Sequence, residues 1–254
     1  MGKIYTIVNQ KGGVGKTTTA VNLSSALHDM GLKTLMCDFD PQANATSGLV
    51  IEKRKIKKTV YDVVVNGVET RQAIISTPYG DVLPSAADLA GAAVELIGMD
   101  NREKQLKTAL EQVKDQYDAI FIDCPPSLEL LTLNGLCAAD AIIVPVQCEY
   151  YALEGLSDLM RTMRMVKQKL NPKLEIFGVI LTMFDGRTNF SNQVAQEVRR
   201  HFPGKVFATV IPRNVRLAEA PSHGIPVHVY DKHSRGANAY QLLAGEFYNK
   251  LKKG

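Results

Sequence analysis

The chain has 254 residues, of which 45% are hydrophobic and 22% are charged, so a largely disordered chain is excluded and a sizeable core is expected. The formal net charge of +4 permits a nucleic-acid-binding surface without establishing one. No apolar run reaches the ~20 residues of a membrane span, and the four cysteines lack C-x-x-C spacing, so we expect a reduced, cytoplasmic protein.

Strand and helix patterns alternate along the whole chain. The first β-branched run, at 3–8, begins so close to residue 1 that we expect no signal peptide. Further strands are predicted at 33–38, 81–84, 119–123, 141–146, 176–181 and 206–210. Helices are predicted at 20–27, 59–66, 69–75, 86–97, 102–115, 150–170, 189–202 and 235–252.

A polar loop is expected over 39–58, and Ser127 is expected to cap the helix that follows Pro125 and Pro126. The alternation indicates an α/β fold, in which a mostly parallel, twisted sheet is flanked by helices on both faces. No linker or repeat interrupts the pattern. We therefore expect a single domain spanning residues 1–254.

A glycine-rich stretch, 9–19, separates the first strand from the first helix. Glycine lets backbone N–H groups converge on an anion, and the helix dipole adds positive potential, so this stretch predicts a phosphate-binding loop. In the P-loop pattern, Lys16 contacts the β- and γ-phosphates and the Thr17 hydroxyl binds Mg²⁺. The residues expected to bind ATP through its phosphates are Lys11, Gly12, Gly13, Val14, Gly15, Lys16, Thr17 and Thr18.

The loop departs from the ordinary P-loop at its first glycine. Anchoring G-x-x-x-x-G-K-[ST] on Gly15 places Gln10 where the pattern has glycine, and a second lysine, Lys11, precedes Gly12. The spelling K-G-G-V-G-K-T resembles the deviant Walker A box of the ParA/MinD class of P-loop ATPases. That resemblance implies that Lys11 reaches across a dimer to the partner's nucleotide, where it would stabilise charge during phosphoryl transfer together with Lys16.

Three acidic residues are predicted at the carboxyl ends of strands, where ligands bind in a sheet of this kind. Asp123 ends an apolar strand in a Walker B pattern and would hold Mg²⁺ through a water molecule. We assign Asp40 to orienting the attacking water, and Asp38 to the outer shell of the metal or to pairing with a lysine. The residues alone leave two alternatives open, a solvated turn before Pro41 for Asp38 and Asp40 and a helix cap for Asp123.

Further stretches extend the resemblance over nearly the whole chain. They are D-F-D-P-Q at 38–42, F-I-D-C-P-P at 121–126, P-V-Q-C-E-Y-Y-A-L-E-G at 145–155 and P-R-N-V-R-L-A-E-A-P-S at 212–222. In these stretches the chain is similar to the ParA/Soj chromosome-partitioning ATPases. The resemblance implies an ATP-dependent homodimer that binds double-stranded DNA without sequence preference and coats the nucleoid. It also implies a ParB/Spo0J-like centromere-binding partner that stimulates hydrolysis, so that repeated cycles separate the replicated origins.

The same resemblance places the adenine and the DNA contacts. It implies that Pro212 and Asn214 hold the adenine, whereas the residues alone indicate a strand-to-helix turn at 211–214. It also implies that Arg187 and Arg216 contact DNA. Weaker candidates for DNA contact are Arg199, Arg200, Lys205, Arg213, Lys232 and Arg235. The densest basic run, 53–58, is interpreted as a solvated loop, or at most as an auxiliary DNA surface.

Two other classes of protein share the deviant loop. A MinD-like membrane-associated regulator would need an amphipathic C-terminal helix, but Gly245 interrupts that pattern. Membrane binding is not expected, because the apolar side chains are expected to pack on the domain, namely Leu242, Leu243, Phe247 and Leu251. An iron-protein-like electron carrier would bridge a cluster with two cysteines from each subunit. Small buried hydrophobic residues are the simpler interpretation of Cys37 and Cys124.

Overall fold

The structure is a computed structural model that describes residues 2–49, 55–149 and 152–253. The strands are β1 (Lys3–Ile7), β2 (Thr34–Asp38), β3 (Ile75–Thr77), β4 (Gly80–Leu83), β5 (Ala119–Asp123), β6 (Ala141–Gln147) and β7 (Glu175–Thr182). The helices are α1 (Lys16–Asp29), α2 (Asn44–Leu49), α3 (Val60–Val64), α4 (Thr70–Ala73), α5 (Leu89–Glu95), α6 (Gln105–Glu111), α7 (Leu130–Ala138), α8 (Ala152–Lys169), α9 (Asn189–His201), α10 (Val215–Glu219), α11 (Val227–Tyr230) and α12 (Arg235–Lys253).

The described residues form a seven-stranded sheet in the order β3-β4-β2-β5-β1-β6-β7. The pairings are parallel, except that β3 runs antiparallel to β4. In the register of the sheet, Asp123 at the end of β5 lies between Asp38 of β2 and Ile7 of β1. The loop after β1 and two of the predicted acidic residues therefore meet at the carboxyl edge of the sheet.

The central strands are buried on both faces, as the near-continuous apolar runs predict. Alternation along β5 sends Ile120 and Ile122 into one hydrophobic cluster, which contains Leu106 of α6. Phe121 points into a second cluster, which contains Leu23 of α1. Helices therefore cover both faces of the sheet, and the predicted α/β architecture is confirmed.

A cluster of aromatic side chains fastens α12 to the sheet. The Phe247 ring lies 5.0 Å from the Tyr5 ring and 4.6 Å from the Phe177 ring, measured between centroids. Phe247 and Leu243 are fully buried. Leu243 and Phe247 are thus packed in the core as their sequence predicts, whereas the predicted packing of Leu242 is wrong, because that side chain is 59% exposed. Among the described residues, no helix is both long enough and apolar enough to cross a membrane.

The predicted strand at 206–210 is wrong. This segment runs beside β7 and contributes an isolated bridge between Val206 and Val179. The Phe207 ring lies directly over Gly178, where an added Cβ would be 2.2 Å from it. The next two amides, of Ala208 and Thr209, donate to the Glu246 carboxylate of α12 over 2.7 and 3.0 Å, so the backbone leaves the ladder instead of extending it.

Local structure also differs from prediction at the edge of the sheet and in the loops. The predicted helix at 69–75 divides into α4 and β3, because β3 forms a hairpin with β4 in which the Thr77 hydroxyl donates to the Gly80 carbonyl over 2.7 Å. The polar loop at 39–58 contains α2, and α10 and α11 were not predicted. Ser127 is not a helix cap, because α7 begins three residues later, with Glu129 at its N-cap position.

Candidate functional site

The loop between β1 and α1 has the backbone of an anion-binding turn. Gly13 has φ 74° and Gly15 has φ 89°, a left-handed region that favours glycine. Gly15 is the N-cap of α1, which begins at Lys16. The amides of the first helical turn have no partner within their own helix, so they face the loop and can bind phosphate oxygens.

Side chains from outside the loop hold it in this shape. The side-chain Nδ2 of Asn9 donates to the Pro145 carbonyl over 2.7 Å. Its Oδ1 accepts a hydrogen bond from the Lys11 backbone amide over 3.0 Å. The Thr182 hydroxyl donates to the Val14 carbonyl over 2.8 Å. β6 therefore holds the beginning of the loop, and β7 holds its middle.

Lys16 is folded into the loop and is almost fully buried. Its ammonium group donates to the Lys11 carbonyl over 3.0 Å. Burial lowers the pKa of Lys16, whereas Asp123, Cys124 and Asp40 oppose that shift. The lysine is thus an enclosed cation at the amino end of α1, which is a favourable place for the charge of a nucleotide phosphate.

Asp123 is a fully buried carboxylate, and among the described residues neither of its oxygens has a hydrogen-bond partner of good geometry. Burial raises the pKa of Asp123 well above its usual range, as does the charge of Asp38, while Thr17 and Lys16 oppose the increase. A buried carboxylate without donors is costly unless a cation compensates it. Asp123 and the neighbouring Thr17 hydroxyl therefore fit a hydrated Mg²⁺ ion, which prefers oxygen ligands and keeps several waters.

Asp38 is fully buried, and both of its carboxylate oxygens accept hydrogen bonds from neighbouring residues. Its Oδ2 accepts hydrogen bonds from the Thr46 amide and hydroxyl, each over 2.7 Å, and its Oδ1 accepts one from the Asp40 amide over 3.2 Å. In the described part of the chain the donors to Asp38 come from Thr46 of α2 and from the Asp40 amide, and the pairing of Asp38 with a lysine stays a prediction. Its place in the outer shell of a metal stays a prediction.

Asp40 lies in a rigid turn beside Lys16. Its Oδ1 accepts a hydrogen bond from the Gln42 amide over 2.9 Å, and its carbonyl accepts one from the Ser85 hydroxyl over 2.8 Å. The side chain is nearly buried, and its charge raises the pKa of Lys16. The structure thus places Asp40 with the phosphate loop and Asp123 instead of in a solvated turn.

A cavity of about 370 Å³ opens next to the loop. Gly15 and Thr18 line it from one side, and Pro212 and Asn214 line it from the other. The Asn214 side chain also accepts a hydrogen bond from the Arg216 amide over 2.9 Å, which caps α10. The residues predicted to hold the adenine therefore adjoin those predicted to hold the phosphates.

The Lys11 side chain pairs with Glu149, which lies just beyond β6 in the chain. The Lys11 ammonium lies 3.5 Å from Glu149 Oε2, and the Arg213 guanidinium lies 3.5 Å from Glu149 Oε1. Gln147 also donates to this carboxylate. One carboxylate is therefore shared by the early lysine and by an arginine that lines the cavity.

The two arginines predicted to contact DNA are exposed, and each pairs with carboxylates of its own protomer. The Arg187 guanidinium lies 2.8 Å from Asp185, and that of Arg216 lies 2.7 Å from Glu219 and 3.2 Å from Asp231. Among the weaker candidates, Lys205 is half-buried and the others are exposed, namely Arg199, Arg200, Arg213, Lys232 and Arg235.

Some of the predicted features lie outside the described residues. They are Lys53 and Arg54 of the basic run, and Tyr150 and Tyr151 of the stretch at 145–155.

The sequence matches known proteins over most of its length. The family described as "AAA domain" matches residues 2–176. The sporulation initiation inhibitor protein Soj of Bacillus subtilis is 56% identical, over 97% of this chain and 98% of that protein. The chromosome partitioning protein ParA of Myxococcus xanthus is 51% identical, over 97% of this chain and 88% of its own. This chain belongs to the ParA/Soj family of chromosome-partitioning ATPases.

The fold of this ParA/Soj family member is also found in solved structures. Cobyrinic acid a,c-diamide synthase from Mycobacterium smegmatis, solved with a bound ATP analogue and magnesium, superposes with a TM-score of 0.87 and 36% identity. The similarity covers 100% of this chain and 97% of that one. That protein carries the name of a synthase, but the partitioning proteins are closer to this chain in sequence.

Sequence reasoning missed several polar residues that support the site of this ParA/Soj family member. Thr46 holds Asp38, Thr182 holds the phosphate loop and Glu149 holds Lys11. Asn9 lies in the glycine-rich stretch 9–19 and Glu149 lies in the family-like stretch 145–155, so the sequence offered a signal for both residues. Thr46 and Thr182 have no such signal, because the fold brings them to the site from 8 and 168 residues away along the chain.

Proposed function

We propose that this chain is a Mg²⁺-dependent ATPase that acts as a switch in chromosome partition, with one ATPase domain spanning residues 1–254. The observation that carries the proposal is the meeting of Lys16 and the orphaned carboxylate of Asp123 at the amino end of α1, beside a cavity of about 370 Å³. A buried cation, free helix amides and a carboxylate without donors are the groups that ATP and a divalent cation require.

Each of these groups has a role in converting ATP to ADP and phosphate. The loop amides at 12–18 and Lys16 bind the phosphates, and Pro212 and Asn214 flank the adenine. Mg²⁺ would be held by Thr17 and, through a water molecule, by Asp123, and it would neutralise charge on the β- and γ-phosphates. Asp40 orients the attacking water.

We further infer that ATP joins two copies of the chain into a homodimer. Lys11 is not required by the ordinary P-loop pattern, and within its own protomer its ammonium group pairs with Glu149. In the dimer, Lys11 contacts the nucleotide of the partner, where its charge stabilises the transferred phosphoryl group as an arginine finger does. Sedimentation of the full chain with and without a non-hydrolysable ATP analogue tests this step, and a monomer at saturating analogue contradicts it.

The ATP-bound dimer is proposed to bind double-stranded DNA without sequence preference, and so to associate with the nucleoid in the cytoplasm. Exposed arginines at 187, 199, 200, 213 and 216 supply the positive charge that displaces counterions from DNA. A ParB/Spo0J-like protein bound at centromere sites would then stimulate hydrolysis and release the dimers, and repeated cycles would separate the origins. The family of this chain supports that sequence of events.

The ATPase rate distinguishes this proposal from other uses of the same fold. It is measured with duplex DNA alone, with the centromere-binding partner alone, and with both together. Joint stimulation is expected, because DNA assembles the dimers on which the partner acts. A rate that responds to neither addition, separately or together, contradicts a partitioning switch and leaves an ATPase of another kind.

The two alternative classes have less support from the site and the core. The apolar side chains Leu243 and Phe247 of α12 are buried, so they are not available to a membrane. ATP-dependent co-sedimentation with anionic liposomes but not with DNA would nevertheless favour a MinD-like role. Cys37 and Cys124 are fully buried in a hydrophobic cluster, and burial raises the pKa of both thiols well above the usual value, which favours packing over ligation of an iron cluster.

A further inference from the structure

The contact between Lys11 and Glu149 has the features of a releasable restraint. The Lys11 backbone is fixed, because its amide donates to Asn9 and its carbonyl accepts the Lys16 ammonium group. Its side chain is one-third exposed, and it ends 3.5 Å from a carboxylate that is about half exposed. The base of the side chain is therefore anchored, while its charged end is held by one solvent-accessible ion pair.

We propose that Glu149 is a positioning residue for Lys11, which it retains within its own protomer until nucleotide phosphate on a second copy of the chain competes for the lysine. This inference rests on the proposed function, because it assumes that Lys11 crosses an ATP-dependent dimer interface. The inference adds to the proposed function the group from which Lys11 must dissociate before it crosses the dimer interface, namely the Glu149 carboxylate. Glu149 thereby sets the threshold for association.

The strength of the restraint suits a switch. Exposed ion pairs stabilise by little, and one such pair shifts an equilibrium by about fivefold at most. A triphosphate presents several anionic oxygens and more negative charge than one carboxylate, so it attracts the lysine more strongly. The pair thus disfavours association of protomers that lack nucleotide, yet it does not prevent association when nucleotide is bound.

Glu149 also connects Lys11 to the nucleotide cavity. Arg213 lies between Pro212 and Asn214 in a segment that lines the cavity, and its guanidinium is as close to Glu149 as Lys11 is. Two cations therefore share one carboxylate. When this segment moves around a bound base, Arg213 moves relative to Glu149, and the strength of the ion pair between Glu149 and Lys11 changes. Binding of a base in the cavity is therefore coupled to release of Lys11.

The test compares the full-length wild-type chain with a Glu149→Gln variant, which keeps the shape of the side chain and removes its charge. A matched control is Glu111→Gln on α6, where an exposed glutamate pairs with Lys107 over 3.9 Å. In the first measurement, lysines of the nucleotide-free protein are acylated for short times and Lys11 is quantified by mass spectrometry. Lys11 is expected to react at least about twofold faster in Glu149→Gln, because the carboxylate no longer shields it.

The second measurement is sedimentation equilibrium with the non-hydrolysable analogue AMPPNP and Mg²⁺. Because a dimer releases two lysines, the association constant of Glu149→Gln is expected to exceed that of wild type, by about 25-fold at most. A gain in association is a result that damage to the fold does not produce. The Glu111→Gln control is expected to match wild type in both measurements.

The outcomes distinguish this inference from the proposed function. If wild type remains monomeric with AMPPNP, the proposed dimer fails and the role of Glu149 fails with it. If wild type dimerises but Glu149→Gln associates equally or more weakly, only the role of Glu149 is overturned, and weaker association would place Glu149 in the dimer contact itself. An unchanged Lys11 acylation rate would also overturn the restraint.

Discussion

Thr46 donates two hydrogen bonds to a single oxygen of Asp38, one from its amide and one from its hydroxyl, each over 2.7 Å. This arrangement holds a fully buried carboxylate next to Asp123 in the sheet. Burial raises the pKa of Asp38 from 3.8 to about 6, although the hydrogen bonds from Thr46 oppose the increase. The charge on Asp38 near neutral pH therefore depends on Thr46.

Replacing Thr46 with valine is expected to destabilise the protein more at high pH than at low pH. Because the pKa of Asp38 is higher in the folded state, the folded state binds more protons, and stability falls as pH rises from about 4 to about 6. Loss of the hydroxyl raises that pKa further, so the fall continues to higher pH. We expect the free energy of unfolding to drop by about 1–3 kcal/mol at pH 8 and by less at pH 5.

Urea denaturation of the nucleotide-free chain at the two pH values measures this difference. The Thr46 hydroxyl also accepts a hydrogen bond from the Ser85 amide, and that loss applies at both pH values. The difference between the destabilisation at pH 8 and that at pH 5 is therefore the quantity that tests the role of Thr46. Thr108→Val on the exposed surface of α6 is the control, and equal destabilisation by Thr46→Val at both pH values would contradict the assignment.

Substituting Asp40 is expected to separate nucleotide binding from turnover. Asp40→Ala removes the carboxylate that would orient water, so the ATPase rate should fall by about a hundredfold or more, while AMPPNP still binds and still drives association. Asp40→Asn keeps the acceptor for the Gln42 amide and thus the turn. Single-turnover hydrolysis and nucleotide binding are measured for both variants. Loss of binding in Asp40→Asn would reassign Asp40 to ligand binding.

The backbone of the phosphate loop predicts a contrast between two of its glycines. Gly15 has φ 89°, so Gly15→Ala should lower the free energy of unfolding by about 1–2 kcal/mol. Steric crowding is not the cause, because the nearest atom to an added Cβ, on Thr182, would be 3.7 Å away. Gly12 does not have a positive φ in the strained range, and an added Cβ would lie 3.9 Å from Pro126, an ordinary van der Waals contact, so Gly12→Ala should change stability by less than about 0.5 kcal/mol. Thermal unfolding without nucleotide compares them, and equal losses would refute the explanation from φ.

Loss of either predicted DNA-contact arginine should weaken DNA binding by the ATP-bound protein regardless of base sequence. Arg187→Ala and Arg216→Ala are each expected to reduce the slope of log affinity against log salt by about 2, because the dimer loses one phosphate contact in each protomer. Arg161→Ala on α8 is the control, because Arg161 is an exposed arginine that also pairs with a carboxylate of its own chain, that of Asp158. Titrations at several salt concentrations, with two duplexes of unrelated sequence, measure the DNA affinity and its dependence on salt. An unchanged slope would remove that arginine from the interface.

The strongly patterned parts of the fold could be predicted from the sequence. β5 and β6 have continuous apolar runs, and glycines at a fixed spacing mark the turn between β1 and α1, so these strands and the position of this turn were predicted correctly, whereas phosphate binding by the turn stays a prediction. The segment at 206–210 has the same apolar appearance, but Phe207 packs over Gly178, a contact that no local pattern encodes. The Thr46 donor to Asp38 was also not predictable, because the fold brings this hydroxyl to Asp38 from a later helix.

The braces on the phosphate loop have a consequence for how a nucleotide binds. Asn9 ties the beginning of the loop to β6 and Thr182 ties its middle to β7, so hydrogen bonds within the protein define the shape of the loop. Ordering a loop of this length upon binding would otherwise oppose association, since each residue that is fixed loses conformational entropy. Here the loop residues lose that conformational entropy when the chain folds, before a nucleotide binds. Capture of the phosphates should therefore resemble docking to a rigid surface, and the rearrangements that distinguish an occupied protomer from an empty one are left to side chains at the rim of the site.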